Sequence, residues 1–199
     1  MPKKGICLVS GIYPPDKGGP AQFVSNFSLW LEKRGISSYI FSLTDSDSSL
    51  TNLGLRTIEL KSRNSNLLRR YLVSAIRIRS LGYSRLLLIN GMFIETAIAT
   101  FFSSFEYVAK VPGDIVWERA RNQGETTLNV DEYQGTETWN KKIMRWFFLR
   151  SLKRAKKVIA PSRHLAEMIA TWGIPRSHIT VIRNGVDLSF FVTQEAKEE

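Results

Sequence analysis

Residues 5–35 read GICLVSGIYPPDKGGPAQFVSNFSLWLEKRG. Residues 5–10 form a short apolar run that a Gly and Pro segment ends, and from residue 20 to 34 Phe23, Val24, Phe27 and Leu31 fall at helical spacing. The order is therefore strand, loop, helix. Gly35 stops the helix after Lys33 and Arg34, and Tyr39-Ile40-Phe41 then predicts a second strand, with residues 55–60 as a third and the Ser- and Asp-rich residues 44–52 as a surface loop. Working outward, helical spacing returns over residues 67–81. It is followed by a strand at 86–89, a helix near 94–102 and a strand at 107–111. Beyond a polar stretch from Asn122 to Thr138, a basic amphipathic helix precedes a strand at 157–160. Ser162 can N-cap a helix that Gly173 ends, and a strand at 179–182 closes the pattern. No internal repeat is present. Short apolar strands separated by helices predict a mostly parallel sheet covered on both faces, and right-handed crossovers make it a doubly wound, Rossmann-like α/β fold. Such sheets bind ligands at the carboxyl ends of their strands, so the loops after Ser10, Asn90, Val111 and Asn184 hold the candidate site.

Composition sets the bounds. A chain of 199 residues with 43% hydrophobic and 23% charged residues is long enough for one substantial core. The expected division is one domain over residues 1–190, with residues 191–199 a charged tail or the start of an interdomain linker. Cys7 is the single cysteine and sits in the first apolar run, so it reads as a small buried hydrophobe in a reducing, cytoplasmic compartment. Lys3 and Lys4 precede an apolar stretch that Gly11 and Pro14-Pro15 break before it reaches signal-peptide form, and no secretion signal is expected. The longest apolar stretch, residues 86–102, is short of a membrane span. His164 and His178 are isolated from each other and from any cysteine cluster, so no metal is expected.

The formal charge of +10 favours anionic partners. Residues 141–157 hold many Lys and Arg and no acid, interleaved with Trp146, Phe147, Phe148 and Leu149, and residues 61–85 are similarly basic. Two readings stay open for that helix: docking at an anionic membrane surface, peripheral at its inner face, or aromatic side chains in the core with basic groups snorkelling to water. Nucleic acid would use the same charges, but no recognition motif supports it.

The loop Gly11 to Pro20 runs into a helix whose unpaired backbone N–H groups and dipole favour an anion, and Gly18-Gly19 would let a phosphate approach closely. The alternative is a plain turn and helix start. Neither G-x-G-x-x-G nor G-x-x-x-x-G-K-[ST] occurs, which removes support for hydride transfer and for a P-loop kinase.

A first strand, a Pro-Pro loop, Gly18-Gly19 and a helix ending Leu31-Glu32-Lys33-Arg34-Gly35 together resemble the opening of family-four glycosyltransferases. Three later segments are similar to that family in order and spacing: the stretch from Lys110 to Ala120, Ala160-Pro161-Ser162 and Asn184-Gly185-Val186-Asp187. The resemblance spans nearly the whole chain. It implies the N-terminal, acceptor-side half of a GT-B enzyme, in which two Rossmann-like halves face each other across a cleft. The intact enzyme would transfer a hexosyl group from a nucleotide sugar to an acceptor hydroxyl with retention, in glycan, polysaccharide or glycolipid synthesis, with no cofactor. The family's donor-binding glutamates, spaced E-x7-E, are not found here, so the C-terminal donor-binding domain is expected to be missing and the chain alone to be inactive. A glycan or lipid-linked molecule would be the acceptor.

For the site, the resemblance implies Gly18 and Gly19 as donor-phosphate ligands and Ser162, Asn184, Gly185 and Asp187 at the interdomain cleft. Many family members carry a histidine where Val111-Pro112-Gly113-Asp114 stands here, which makes Asp114 the candidate catalytic group. Asn90, Glu95, Trp117, Glu118 and Arg119 are candidate acceptor ligands. For the last three the competing reading is a helix start with an ordinary ion pair, and for Glu95 a helix-dipole role. The rival from another class is a non-catalytic α/β binding module with a basic membrane- or nucleic-acid-facing surface.

Overall fold

The computed structural model describes residues 5–101 and 103–185. Along these run β1 (Ile6–Val9), α1 (Gly19–Glu32), β2 (Ser38–Thr44), β3 (Ser49–Leu53), β4 (Arg56–Ser62), α2 (Leu67–Ser84), β5 (Leu86–Ile89), α3 (Phe93–Ala99), β6 (Tyr107–Lys110), α4 (Ile115–Asn122), α5 (Trp139–Arg154), β7 (Lys157–Ala160), α6 (Arg163–Thr171) and β8 (Ile179–Val181). Among the described residues the strands form one sheet in the order β3-β4-β2-β1-β5-β6-β7-β8, parallel throughout except where β3 runs against β4. The fold is the expected doubly wound, mostly parallel α/β arrangement. β1 lies at its centre, pairing Cys7 with Tyr39 of β2 on one side and with Leu87 of β5 on the other. From there the chain builds outward first toward β4 and then, after α2, toward β8. The topological switch point is therefore the junction of β1 and β5.

Two departures from the expected pattern have physical causes. β3 falls inside the Ser- and Asp-rich stretch read as loop, and all five of its residues are exposed, so it carries no apolar alternation to reveal it. It is held by backbone pairing to β4 across a turn in which Gly54 takes φ 59, a left-handed conformation that favours glycine. The second departure concerns the helices, which do not cover the two faces equally. On one face Cys7, Val9, Phe41, Leu87, Ile89, Tyr107, Ala109 and Val158 pack against α2, α3, α4, α5 and α6 in one large core. On the other face the smaller core of Leu8, Val24, Ile40 and Ile58 is closed by α1 alone, through Phe23 and Phe27. Beyond the reach of α1, Leu86 is exposed and Val108 and Ile159 are only half-buried. A parallel sheet normally buries both faces, and among the described residues nothing fully covers this part of the second face.

Full burial of the largest side chains, Phe41, Phe93 and Phe148, stabilises the main core by roughly 2–3 kcal/mol each. The edge-to-face packing of Phe148 against Phe93 and Trp172 ties α3, α5 and the end of α6 together. Cys7 is fully buried, as its apolar run implied, and desolvation pushes its thiol up to about 12. No helix among the described residues is long and apolar enough to cross a membrane.

Candidate functional site

At the switch point the loops after β1 and β5 come together and must do so closely. A Cβ on Gly91 would stand 2.6 Å from the backbone nitrogen of Gly11, so only glycine lets the two loops meet this way. Asn90 extends the pairing by donating its backbone N–H to the Val9 carbonyl at 2.8 Å. Its side-chain amide donates to the Pro20 carbonyl at 3.3 Å and so ties the start of α1 to the end of β5. The Asn90 carbonyl oxygen, Oδ1, is buried and has no partner among the described residues. An orphaned buried acceptor is costly unless a donor reaches it, and in this position the donor can come from a ligand. The next residue but one, Met92, precedes α3 at φ 54, a left-handed conformation that costs a non-glycine residue roughly 1–2 kcal/mol.

These loops wall a cleft of about 190 Å³ at the carboxyl edge of the sheet, whose opposite wall is α4 with Ile115, Glu118, Arg119 and Asn122. The Glu118 carboxyl is held above the usual carboxylate range, first by desolvation and then by the nearby Asp114 charge, with Arg119 opposing. Gly113 makes room for it, because a Cβ there would collide with the Glu118 carboxylate. Arg119 donates to the Met144 sulfur at 3.2 Å and has no carboxylate within ion-pair distance among the described residues. The cleft thus offers an acceptor oxygen, a partly desolvated carboxyl and a guanidinium able to hold an anionic or hydroxyl-bearing ligand.

The structure brings three of the five candidate acceptor residues, Asn90, Glu118 and Arg119, into this cleft. Glu95 lies in the first turn of α3, almost fully buried. Its carboxyl is raised mainly by desolvation, against its own backbone N–H and the charges of Arg119 and Arg70. Trp117 turns away and donates its indole N–H to the Leu128 carbonyl at 3.0 Å. Neither lines the cleft.

Asp114 is corrected most. Its side chain is fully buried, caps α4 by accepting from the N–H groups of Val116 and Trp117 at 2.9 and 3.2 Å, accepts from Gln134 at 2.9 Å and pairs with Arg145 at 2.8 Å. Arg145 also pairs with Glu137 at 2.8 Å, and Gln134 accepts from the Trp172 indole at 3.0 Å. Every feature of Asp114 is that of a structural tie pinning the irregular stretch after α4 onto α5 and α6. Its carboxylate is not presented to the cleft.

Gly18 and Gly19 begin α1 at the same edge of the sheet. Gly18 has φ 152, and a Cβ on it would stand 2.9 Å from the Ile12 side chain, whereas a Cβ on Gly19 would meet nothing within 4 Å. Among the described residues neither N–H has an acceptor. Gly19 does not line the cleft. With Asn184 and Gly185 it borders a second groove of about 510 Å³, along the α1 side chains Phe23, Phe27 and Trp30, whose rings stack at 5.6 and 5.7 Å. Ser162 lies away from both, capping α6 by accepting from Leu165 N–H at 3.1 Å. Asp187 falls outside the described residues.

One residue escaped the sequence reading. Lys110, last in β6, is buried with its ammonium 4.3 Å from the Phe23 ring centroid, and desolvation lowers its pKa. A lysine closing an apolar strand looks like an ordinary strand end in sequence; its register opposite Ile159 turns it toward α1. No group of three or more His, Cys, Asp or Glu side chains that could hold a metal occurs among the described residues.

Comparison with known proteins agrees with the resemblance read from the sequence. Residues 126–190, about a third of the chain, match the family model for Glycosyltransferase Family 4. Among solved structures, HepE of Anabaena in complex with UDP and glucose is similar over 97% of this chain and 48% of its own, with TM-score 0.65 and 14% identity. A Listeria monocytogenes protein assigned as a UDP-N-acetylglucosamine 2-epimerase is similar over 100% and 50%, with TM-score 0.60 and 15% identity. A glycosyltransferase from Rickettsia africae matches over 96% and 46%, with TM-score 0.53 and 16% identity. The chain spans about half the length of these structures. No curated protein sequence matches it significantly. At these identities the neighbours show the fold, the Rossmann-like N-terminal half of a GT-B architecture, and their differing activities show that the fold alone does not select a reaction.

Proposed function

We propose that the chain is the acceptor-side half of a nucleotide-sugar-dependent glycosyltransferase that moves a hexosyl group to an acceptor hydroxyl with retention, in glycan, polysaccharide or glycolipid synthesis. The observation that carries this reading is the cleft at the β1–β5 switch point, with the orphaned Asn90 oxygen on one wall and Glu118 and Arg119 on the other. The family-four match over residues 126–190 supports it from an independent part of the chain.

In this proposal Asn90 accepts a hydrogen bond from an acceptor hydroxyl, and Arg119 and Glu118 orient the rest of the acceptor. The start of α1 offers the N–H groups of Gly18 and Gly19 to the leaving diphosphate, stabilising charge as it develops without a metal. Donor binding and completion of the cleft fall to a second half, without which the chain binds but does not turn over. The half-exposed sheet face and the aromatic groove along α1 support a second body packing against this one.

The test pairs full-length enzyme carrying both halves with a panel of nucleotide sugars and acceptors, following transfer by mass spectrometry. Arg119→Ala and Asn90→Ala are expected to raise the acceptor KM at least ten-fold with donor affinity unchanged, about 1.4 kcal/mol. Gly19→Val is expected to lower turnover with the fold intact. Conversion of the nucleotide sugar to its epimer, with no transfer to any acceptor, would replace the transferase reading by an epimerase one.

A further inference from the structure

Of the basic residues between 141 and 157, Lys142, Lys153, Arg154, Lys156 and Lys157 are exposed, whereas Lys141 and Arg145 are held inside by acidic partners. Lys141 is buried, bonded to Gln123 and paired with Glu125 at 3.2 Å, Arg145 is held by Asp114 and Glu137, and Phe148 and Leu152 lie in the core. Beside the exposed Lys142, Lys153 and Arg154, α5 also turns apolar and aromatic side chains outward: Trp139 is 75% exposed, and Ile143 and Trp146 are exposed on the same face.

The stronger feature is α2. Leu68, Leu72, Ile76 and Tyr83, spaced four, four and seven residues apart, share one face of the helix and are all exposed, Leu68 at 67% and Ile76 at 69%. Arg69 and Arg79 stand exposed on that face, and neither has an ion-pair partner among the described residues. At the N-terminal end of α2 the stripe runs through Val73 into a pocket of about 230 Å³ lined also by Lys61, Ser62, Ser65, Arg69 and Arg70, where Arg70 Nε is buried without a partner. The sequence has no Asp or Glu from residue 60 to 94 or from 138 to 166. α2 and α5 pack on either side of α3, so the two exposed faces belong to one helical layer.

An apolar stripe edged by unpaired arginines, with tryptophans on a neighbouring helix and no acid on either α2 or α5, has the chemistry of a surface that lies in a bilayer interface. A water-facing helix would expose its polar residues instead. We infer that the outer face of the α2–α3–α5 layer docks on an anionic phospholipid bilayer, the α2 stripe entering the acyl boundary while Lys61, Arg69 and Arg70 hold a lipid phosphate. Charge complementarity selects the anionic bilayer as occupant: a second copy of this chain would bring the same cations against one another. The inference concerns this surface only and does not depend on the transferase reading.

Flotation of the chain with vesicles of phosphatidylcholine alone, and with vesicles containing phosphatidylglycerol, tests it. Binding is expected on the anionic vesicles, falling with added salt and by about five-fold for each of Arg69→Gln and Arg79→Gln. Leu72→Ser and Ile76→Ser are expected to weaken binding further while thermal unfolding stays unchanged, because both side chains are already exposed. Brominated lipid should quench tryptophan fluorescence, and Trp139→Phe with Trp146→Phe should remove most of that quenching. Equal, salt-independent binding to both vesicles, or binding untouched by the four α2 substitutions, would overturn the inference. So would a concentration-dependent dimer that Leu72→Ser abolishes, because the face would then be a contact between copies.

Discussion

Asp114 shows how one side chain can carry the spacing of a functional residue and the bonds of a structural one. Its place at the end of a strand edge was legible in the sequence, but its partners were not, because Gln134 and Arg145 lie 20 and 31 positions away and reach it only through the fold. Removing the carboxylate with Asp114→Ala is expected to cost about 3–5 kcal/mol, lowering Tm by roughly 10 °C, since it leaves Arg145 short of a partner and α4 uncapped. Asp114→Asn keeps an oxygen for the cap and should cost less. Both are read by thermal unfolding, and a loss of acceptor binding at unchanged Tm would restore Asp114 to the site. Glu95 gives a pH signature with a definite sign. Burial raises its folded pKa above the unfolded value near 4.3, so its contribution is most favourable below that value and is lost as pH rises through the folded pKa. Glu95→Gln should therefore melt at a higher temperature than the parent around neutral pH, with the gap closing near about pH 4.

At the scale of elements, apolar periodicity located the buried strands and long helices because burial is what imposes it: β5 and β7 begin and end where the sequence placed them. It missed β3, whose exposed residues answer only to backbone pairing, and it could not see that α5 turns Trp139 and Trp146 outward. The candidate site was legible to the extent that strand ends are. Asn90, Glu118 and Arg119 follow from topology, whereas the meeting of Gly11 with Gly91 depends on a loop-to-loop distance that no local pattern encodes. Gly91→Ala is expected to push those loops apart, destabilising by roughly 1–3 kcal/mol and weakening acceptor binding. Gly19→Ala, with open space around its Cβ, should leave Tm unchanged. Equal Tm values for the two variants would show that the loop contact does not hold the cleft in shape.

For the molecule as a whole, the switch-point topology has a consequence in time. Synthesis delivers β1 and β2 early, yet the other neighbour of β1 is β5, whose Leu86 lies 77 positions beyond Val9 and 42 beyond the end of β2 at Thr44. During that interval one side of Cys7 lacks its partner Leu87, and the thiol that burial later makes inert is still open to water. Cys7 is thus a built-in clock for the order of assembly. Nascent chains arrested before Leu86 leaves the ribosome should react quickly with a thiol reagent, and chains released far enough for β5 to pair should not. Protection appearing already with the first hairpin-length of chain would mean that the β1 edge is closed by something other than β5 while the protein is being made.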